Sequence, residues 1–327
     1  MRAVVLHSHG GPEVLTIETI DDPHPGPEEV VIDIAATALN RADVLQRIGG
    51  YPDPRGRIPE IPGLEFAGVV SAVGERAHLW QVGDRVMGIE AGGAYAERIA
   101  THERMLLRVP DAMSLDDAAA IPEVFLTAWD ALVVQGGLTS GRWALVHAGA
   151  SGVGTAAIQI AAAIGARCAV TCSAGKAELC RSLGADLVFE RSPHSWLDDA
   201  MAAVPAGFDV VLDVVGGDEV DRNLRAVAQR GALVQVGLMG GGRVPVDVGL
   251  LMARRSRWIG TTLRTRPLEE KVALTRRFAA EVLPLFESQR LRPVIDSRYE
   301  FDQIAEAHRR MESNANAGKI VVTISSR

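Results

Sequence analysis

A buried strand that runs directly into a glycine-rich turn and an alanine-rich helix is the feature that most constrains this 327-residue chain. The segment is LVHAGASGVGTAAIQIAAAIGA. Glycines here allow a tight turn and close approach of a pyrophosphate, and the helix N-terminus supplies free N–H donors. The G-x-G-x-x-G pattern is imperfect, because Ser151 replaces its middle glycine. The alternative is a tight turn that binds no ligand. The segment predicts a dinucleotide-binding turn formed by Gly149, Ala150, Ser151, Gly152, Val153 and Gly154.

Candidate strands and helices alternate around this turn. The strands are short, nearly continuous apolar runs, as expected for a parallel sheet covered on both faces. Candidate strands lie at 143–148, 166–172, 185–189, 208–215, 231–237 and 257–263. Candidate helices lie at 152–164, 175–183, 195–203 and 218–229. The centre of the chain is therefore predicted to be a doubly wound parallel α/β sheet.

Both ends of the chain have β-rich character. Short apolar runs at 30–39, 66–74 and 84–89 are separated by glycine and proline, and a similar run lies at 318–324. A helix start is predicted at Ser114, a further helix over 122–134, and one amphipathic helix after Arg266. The predicted domains are a β-rich domain of residues 1–122 and 267–327, and a nucleotide-binding domain of residues 123–266 inserted into it.

The turn after the second strand of the alternating pattern predicts the cofactor. An NAD-binding unit places an acidic residue about 20 residues past the first glycines, where it holds the ribose 2′-hydroxyl. This chain has TCSAGK at 171–176, without an acid. Ser173 and Lys176 could bind a 2′-phosphate, and Arg191 past the third strand is a second candidate cation. The alternative to phosphate binding is that Lys176 is simply a solvated residue in the first turn of a helix. We therefore predict NADPH as the cofactor.

Composition narrows the possible partners. The formal net charge is −7, and the basic residues form no run, which argues against a nucleic-acid partner. No apolar run approaches the roughly 18 residues of a membrane span, and the first apolar stretch is too short for a signal peptide. Cys168, Cys172 and Cys180 lie in one segment without a disulfide framework spacing. We therefore expect a cytoplasmic protein with reduced thiols.

Several motifs in order along the chain carry a resemblance to a known family. They are ALNRADVLQRIGGY at 38–51, Gly63-x-Glu65-x-x-Gly68 with Gly74 and Gly83-Asp-Arg-Val86, HAGASGVG, and NAGKIVV at 316–322. With them the chain resembles the zinc-free quinone oxidoreductases of the medium-chain dehydrogenase/reductase superfamily. The resemblance implies a GroES-like β-rich domain and a Rossmann domain. It also implies a homodimer in which the strand RWIGTTL pairs between subunits.

The zinc enzymes of that superfamily carry Cys, His and Cys ligands where this chain offers Asn40, Leu64 and Glu123. Leu64 cannot bind a metal, and the β-rich segments contain no cysteine. Zinc favours Cys and His donors in sets of three or four. The four-cysteine structural lobe of the zinc enzymes is absent as well. The sequence therefore predicts an enzyme without a catalytic metal.

The resemblance also suggests residues for the active site. Asn40 could hydrogen-bond a substrate carbonyl, and Tyr51 could stack on a ring or donate to an oxyanion. Asp43 could orient its neighbours from a helix start, and Tyr51 could simply cover its proline-rich loop. The predicted catalytic residues are Asn40, Asp43, Tyr51 and Thr127. The residues predicted to bracket the nicotinamide or to hold the cofactor are Gly237, Thr262, Leu263, Arg264, Asn316 and Lys319, and a solvated tail loop is the alternative for the last two.

Without zinc, the chemistry favours an activated electrophile. Reducing a simple ketone makes a basic alkoxide that needs a Lewis acid or a strong proton donor. Reducing a quinone makes a phenolate about as basic as tyrosine, whose pKa is about 10. We predict an NADPH-dependent quinone reductase that acts on a small-molecule electrophile. The alternatives are an enoyl or alkenal reductase that acts on a conjugated C=C bond and a non-catalytic NADPH-binding protein.

Overall fold

The computed structural model describes residues 1–56, 60–191 and 196–324. The chain divides into two compact units: Met1–Leu126 with Leu263–Arg327, called here the split unit, and Thr127–Thr262, the central unit. The sequence placed the boundaries at 122/123 and 266/267. The first observed boundary falls inside a helix, Pro122–Trp129, which a sequence pattern treats as one element.

The strands and helices are numbered in chain order. The strands are β1 (Arg2–Val5), β2 (Thr16–Thr19), β3 (Glu29–Ala38), β4 (Glu65–Val73), β5 (Arg85–Ile89), β6 (Arg98–His102), β7 (Leu106–Arg108), β8 (Trp143–Val146), β9 (Arg167–Cys172), β10 (Leu187–Glu190), β11 (Phe208–Asp213), β12 (Val227–Gln235), β13 (Arg257–Gly260), β14 (Ile295–Glu300) and β15 (Lys319–Thr323). The helices are α1 (Arg41–Arg47), α2 (Leu115–Ala118), α3 (Pro122–Trp129), α4 (Gly152–Ala163), α5 (Ala177–Ser182), α6 (Trp196–Ala203), α7 (Glu219–Ala226), α8 (Val248–Arg254), α9 (Leu268–Glu281), α10 (Leu283–Glu287) and α11 (Ile304–Glu312).

The central unit holds a sheet with the strand order β10-β9-β8-β11-β12-β13. Every pair in it is parallel. Counted from β8, this is the order 3-2-1-4-5-6 of the Rossmann fold, in which nucleotides bind where the strand order reverses, here between β8 and β11. The predicted doubly wound sheet is therefore confirmed.

Apolar side chains explain why β8 lies inside this sheet. Ala144, Leu145 and Val146 are completely buried, and each fully buried Val or Leu contributes about 1.5–3 kcal/mol. The strand ends sooner than the predicted residue 148, because Ala148 has a left-handed backbone with φ of 54°. Residue 195, the predicted start of the following helix at 195–203, lies outside the described residues, and α6 is described from Trp196.

The split unit is built on a sheet with the order β14-β15-β3-β4-β5-β7, and β6 also pairs with β3. Its pairs are antiparallel except β14 with β15. β15 lies between β14 and β3, so the predicted apolar run at 318–324 joins strands from both ends of the chain. The prediction of one helix followed by a β-rich tail was incomplete. The tail also contains α10 and α11, and α11 buries Ile304, Ala307, His308 and Met311 at helical spacing.

Candidate nucleotide-binding and catalytic site

The glycine-rich turn begins where β8 ends. After Ala148 the chain reverses, and the N–H of Gly149 donates to Thr171 O at 2.8 Å. Ser151 is the N-cap of α4, and its Oγ accepts from the N–H of Gly154 at 3.1 Å. The serine that interrupts the expected glycine pattern therefore satisfies one of the free donors at the helix start.

Two glycines of this turn lie where a side chain would collide with backbone or core. A Cβ on Gly154 would lie 2.3 Å from Ala148 O, and one on Gly149 would lie 2.7 Å from the Val170 side chain. The helix therefore packs against the preceding strand at a distance that only glycine permits. This close approach is what the predicted pyrophosphate turn at 149–154 requires.

Two of the polar residues predicted for the ribose, Ser173 and Lys176, lie in the turn after β9, and the third, Arg191, follows β10. Ser173 is exposed, and Lys176 is the N-cap residue of α5. The backbone N–H of Arg191 donates to Cys172 O at 2.7 Å, which places Arg191 beside the end of β9. An acidic residue, Glu190, lies opposite Cys172 in the pairing of β10 with β9, so it is near the end of β9. No acid lies within 173–176.

The loops after β12 and β13 carry further residues predicted for the cofactor. A Cβ on Gly237 would lie 2.7 Å from Val214 O, so the loops after β11 and β12 touch at this glycine. Gln235 Nε2 donates to Gly237 O at 2.7 Å. Thr262 is exposed, at the end of the central unit. Leu263 belongs to the split unit and is half-buried.

A buried ion pair lies in the split unit at the start of α1. Lys319 Nζ lies 2.7 Å from Glu65 Oε1, and the two side chains are 3% and 0% exposed. The ammonium also donates to Leu39 O and to Asn40 Oδ1, each at 2.6 Å. Lys319 thus has three acceptors for its three hydrogens. The predicted contact of Lys319 with a cofactor would require the loss of one of these bonds.

Asn40 is fixed by the same cluster. Its Nδ2 donates to Glu65 Oε1 at 2.9 Å and to Ala38 O at 3.2 Å. Both amide hydrogens therefore have protein acceptors, and the amide oxygen accepts from Lys319. A substrate carbonyl would have to compete with these partners for the donor that the sequence predicted.

Two carboxyl groups beside this ion pair are protonated more readily than usual. Burial, reinforced by the Glu65 charge, raises the pKa of Glu123 to about 8. Its Oε2 is buried and has no hydrogen-bond partner among the described residues. Burial also raises the pKa of Asp43 to about 6. Asp43 Oδ2 accepts from the Asn40 N–H at 2.7 Å and from the Tyr95 hydroxyl at 3.1 Å, so Asp43 caps α1, the orienting position that the sequence suggested.

Arg264 holds the loop that follows α1. Its Nη1 donates to Tyr51 O and its Nη2 to Gln46 Oε1, each at 2.7 Å, and its Nε donates to Ala91 O at 2.8 Å. The guanidinium carbon also lies 4.6 Å from the centre of the Tyr51 ring. Arg264, one of the residues predicted to bracket the nicotinamide, is 6% exposed and lies in the split unit. It orders the candidate Tyr51 loop.

Thr127 and Asn316 are two further residues predicted for the site. Thr127 lies on α3 at the first position of the central unit and is 8% exposed. Asn316 Nδ2 donates to Gly318 O at 3.1 Å, within the turn before β15. The sequence reasoning missed Tyr95 and Gln46 as partners. It quoted Glu65 in a motif without giving it a role, and the charged residue in an otherwise apolar strand was the available signal.

The comparisons with known proteins agree with this architecture. Residues 26–111 match the alcohol dehydrogenase GroES-like domain, and residues 183–322 match a family model described as zinc-binding dehydrogenase. A quinone oxidoreductase from Lama guanicoe is 32% identical over 99% of this chain and 98% of its own length. The synaptic vesicle membrane protein VAT-1 homolog from Rattus norvegicus is 30% identical over 98% of this chain and 84% of its own length.

Solved structures give the same picture. A quinone oxidoreductase from Pseudomonas syringae superposes with a TM-score of 0.88 at 30% identity, covering 99% of each chain. The CurK enoyl reductase gives 0.89 at 27% identity, covering 99% of each chain. A mycobacterial protein complexed with NADPH gives 0.89 at 30% identity, covering 99% of this chain and all of the other.

The fold and the sequence relatives define an oxidoreductase with a nucleotide-binding fold. The chain belongs to the medium-chain dehydrogenase/reductase superfamily. Within the parts of the chain that the structure describes, no helix has both the length and the apolar character needed to cross a membrane.

The donor atoms of this chain do not fit the zinc ion that one family model's description implies. Zinc takes three or four Cys, His or carboxylate donors. Across residues 1–56, 60–191 and 196–324, no three His, Cys, Asp or Glu side chains are grouped to hold a metal ion. Asn40, Leu64 and Glu123 stand where the zinc enzymes carry their Cys, His and Cys ligands. Of these, Leu64 is aliphatic, and Asn40 Oδ1 accepts a hydrogen bond from the Lys319 ammonium. A buried cation is therefore already bound at the asparagine.

Proposed function

We propose that this protein is a zinc-independent, NADPH-dependent quinone reductase. The observation that carries the proposal is the turn after β9, where Ser173 and Lys176 lie, no acid occupies 173–176, and the backbone of Arg191 bonds to the end of β9. A ribose 2′-phosphate would meet a hydroxyl and two cations there. Within 173–176, a ribose 2′-hydroxyl would lack the carboxylate acceptor that NAD-binding units supply at this turn.

The cofactor supplies the hydride, and the protein's own residues bind and orient the two reactants. For the substrate we propose the Tyr51 loop in the split unit, where Arg264 fixes the backbone and faces the ring. Tyr51 and Thr127 remain our candidates for contact with the substrate. We assign Asn40 and Asp43 to positioning, because their polar atoms bond to Glu65, Lys319 and Tyr95. For Lys319 and Arg264 we propose positioning roles in place of cofactor contacts.

A comparison of electrophiles tests the proposed activity. We expect NADPH oxidation with 1,2-naphthoquinone to give a kcat/KM well above the values for crotonyl-CoA and 2-alkenals, because a phenolate product needs no strong proton donor. The reverse order would favour the enoyl or alkenal reductase, for which the similarity to the CurK enoyl reductase is the supporting observation. NADPH binding without turnover of any of these compounds would favour a non-catalytic role.

Substitution in the turn after β9, residues 173–176, called here the ribose turn, tests the cofactor assignment. Replacing Ser173 with Asp puts a carboxylate where the 2′-phosphate would lie, so repulsion should lower the NADPH/NADH ratio of kcat/KM by at least ~10-fold. Replacing Lys176 with Ala should lower the same ratio less, and Ser173→Asn is the uncharged control. A wild-type enzyme that prefers NADH, or a ratio that Ser173→Asp leaves unchanged, would refute the assignment.

We also propose that the protein forms a homodimer through β13. This strand ends the central sheet, and its outer edge has no paired strand among the described residues. Trp258 on it is 41% exposed, and Met252 on the neighbouring α8 is 72% exposed. An open strand edge beside exposed apolar side chains is suited to pairing with a second copy.

Light scattering at micromolar concentration measures this association. We expect a dimeric mass for the wild type and a monomeric mass for Trp258→Glu, because a buried charge would be left at the interface. The control is Val82→Glu in the split unit, where the valine is 64% exposed, and it should remain dimeric. A monomeric wild type would exclude the proposal.

A further inference from the structure

A buried polar network in the central unit connects the ends of three parallel strands. His147 follows β8, Thr171 lies near the end of β9, and Asp213 is the last residue of β11. Asn223 on α7 completes the network. All four side chains are nearly inaccessible, with exposures between 0% and 4%. β8 and β11 are the pair at which the strand order reverses, the place where this fold binds nucleotides.

The hydrogen bonds of the network have one consistent direction. Asn223 Nδ2 donates to Asp213 Oδ2 at 3.0 Å, which leaves Asn223 Oδ1 as an acceptor. His147 Nε2 lies 2.6 Å from this oxygen and must therefore donate to it. His147 Nδ1, at 2.9 Å from Thr171 Oγ1, then accepts from the threonine hydroxyl. The ring nitrogens of His147 are both satisfied by neighbouring elements.

The far end of the network holds the loop after β11. Asp213 Oδ1 accepts from the N–H groups of Val215 and Gly216, at 2.6 and 3.0 Å. The Asp213 carbonyl accepts from Val236 N at 2.8 Å, at the start of the loop after β12. One continuous set of bonds thus runs from Thr171 on β9, past the glycine-rich turn, to the loops after β11 and β12.

We propose that His147 is a positioning residue that fixes the glycine-rich turn and the loop after β11 in the arrangement that binds the dinucleotide. This inference rests on the proposed use of a dinucleotide, but not on the identity of the oxidised substrate. The His147 side chain is buried and bonded on both nitrogens, so it acts through the loops and makes no contact with the cofactor. Such preorganisation lowers the cost of ordering the loops at binding.

The test measures the Kd of NADPH and of NADH by calorimetry on the full-length protein. His147→Phe, which keeps a ring without polar atoms, should weaken both cofactors by roughly 10-fold. The ratio of the two Kd values should not change, because the network does not reach the 2′-phosphate. His147→Gln, whose amide can donate through its NH2 group and accept through its oxygen, should restore Kd to within about threefold of the wild type.

Two further variants separate positioning from general stability. Thr171→Val removes one hydrogen bond with little change in shape and should weaken both cofactors about threefold, even if His147→Phe fails to fold. His308→Phe alters an equally buried histidine in the split unit and should lower Tm without changing either Kd. For the folded His308→Phe variant, kcat at saturating NADPH should stay within about twofold of the wild type.

The outcomes that overturn the inference are distinct from failure of the proposed function. If the wild type binds neither dinucleotide, the proposed function fails. If the wild type binds and the folded His147→Phe and Thr171→Val variants bind equally well, only the positioning role fails. If His147→Gln is as weak as His147→Phe, the hydrogen bonds do not carry the effect, and the role is likewise rejected.

Discussion

Gly154→Ala is expected to abolish binding of the dinucleotide, with a loss of more than ~100-fold in kcat/KM. The added Cβ would lie 2.3 Å from Ala148 O and 2.6 Å from the carbonyl carbon of Gly149. Both neighbours are backbone atoms, so no side-chain rotation relieves the overlap. α4 must move away from β8, and the turn that would hold the pyrophosphate opens with it. Calorimetric titration with NADPH and steady-state kinetics measure the loss.

The matched control for this substitution is Gly260→Ala. Gly260 also lies in the central unit, and a Cβ built on it meets no atom within 4 Å. We expect this variant to bind NADPH as the wild type does. If Gly154→Ala also binds normally, the close approach of α4 to β8 does not set the geometry of the nucleotide turn.

Lys319→Met is expected to lower the free energy of unfolding by roughly 3–5 kcal/mol, because it leaves the Glu65 carboxylate buried without its cation. Glu65 would keep the hydrogen bonds from Asn40 Nδ2 and from the Glu123 N–H, at 2.9 and 2.8 Å. Neither neutral donor balances a full charge in a site where Glu65 is 0% exposed. Urea unfolding followed by circular dichroism measures the change.

A second substitution identifies the charge as the cause. Adding Glu65→Gln to Lys319→Met removes the unpaired charge and keeps an acceptor, so more than half of the lost stability should return. Arg277→Met breaks the Arg277–Glu281 pair, whose side chains are 46% and 43% exposed. This control should change stability by less than about 1 kcal/mol. A Lys319→Met variant as stable as the wild type would show that the pair is not needed.

Local sequence signals predicted the parts of the fold that depend on neighbouring residues. The apolar strands and the glycine turn carry their pattern within a few residues, and the observed strand order agrees with them. α11 was missed although its buried residues have helical spacing, because the apolar run at 318–324 suggested that the whole tail is β-rich. The exact end of β8 could not be read from apolar character, because it depends on the left-handed conformation of Ala148.

The candidate site was less predictable, because its contacts join distant parts of the chain. Lys319 reaches Asn40 and Glu65 across the pairing of β15 with β3. Arg264 bonds to Tyr51 and Gln46, which are 213 and 218 residues away along the chain. In the sequence, a cation such as Lys319 or Arg264 suggests an anionic ligand. Only the folded chain shows that its N–H donors already bond to protein acceptors. His147 was visible inside the glycine motif, but its partners come from two other strands and a helix.

The place of β15 in the split unit also has a consequence for biosynthesis. This strand follows the whole central unit along the chain, yet it lies between β14 and β3 in the sheet. While the ribosome is still making the central unit, the Ala36–Ala38 end of β3 lacks the partner that β15 supplies, and Glu65 has no lysine partner. The nascent central unit can close on its own contacts, whereas the split unit must wait for its last strand. An open strand edge during that interval is a target for chaperones and for aggregation.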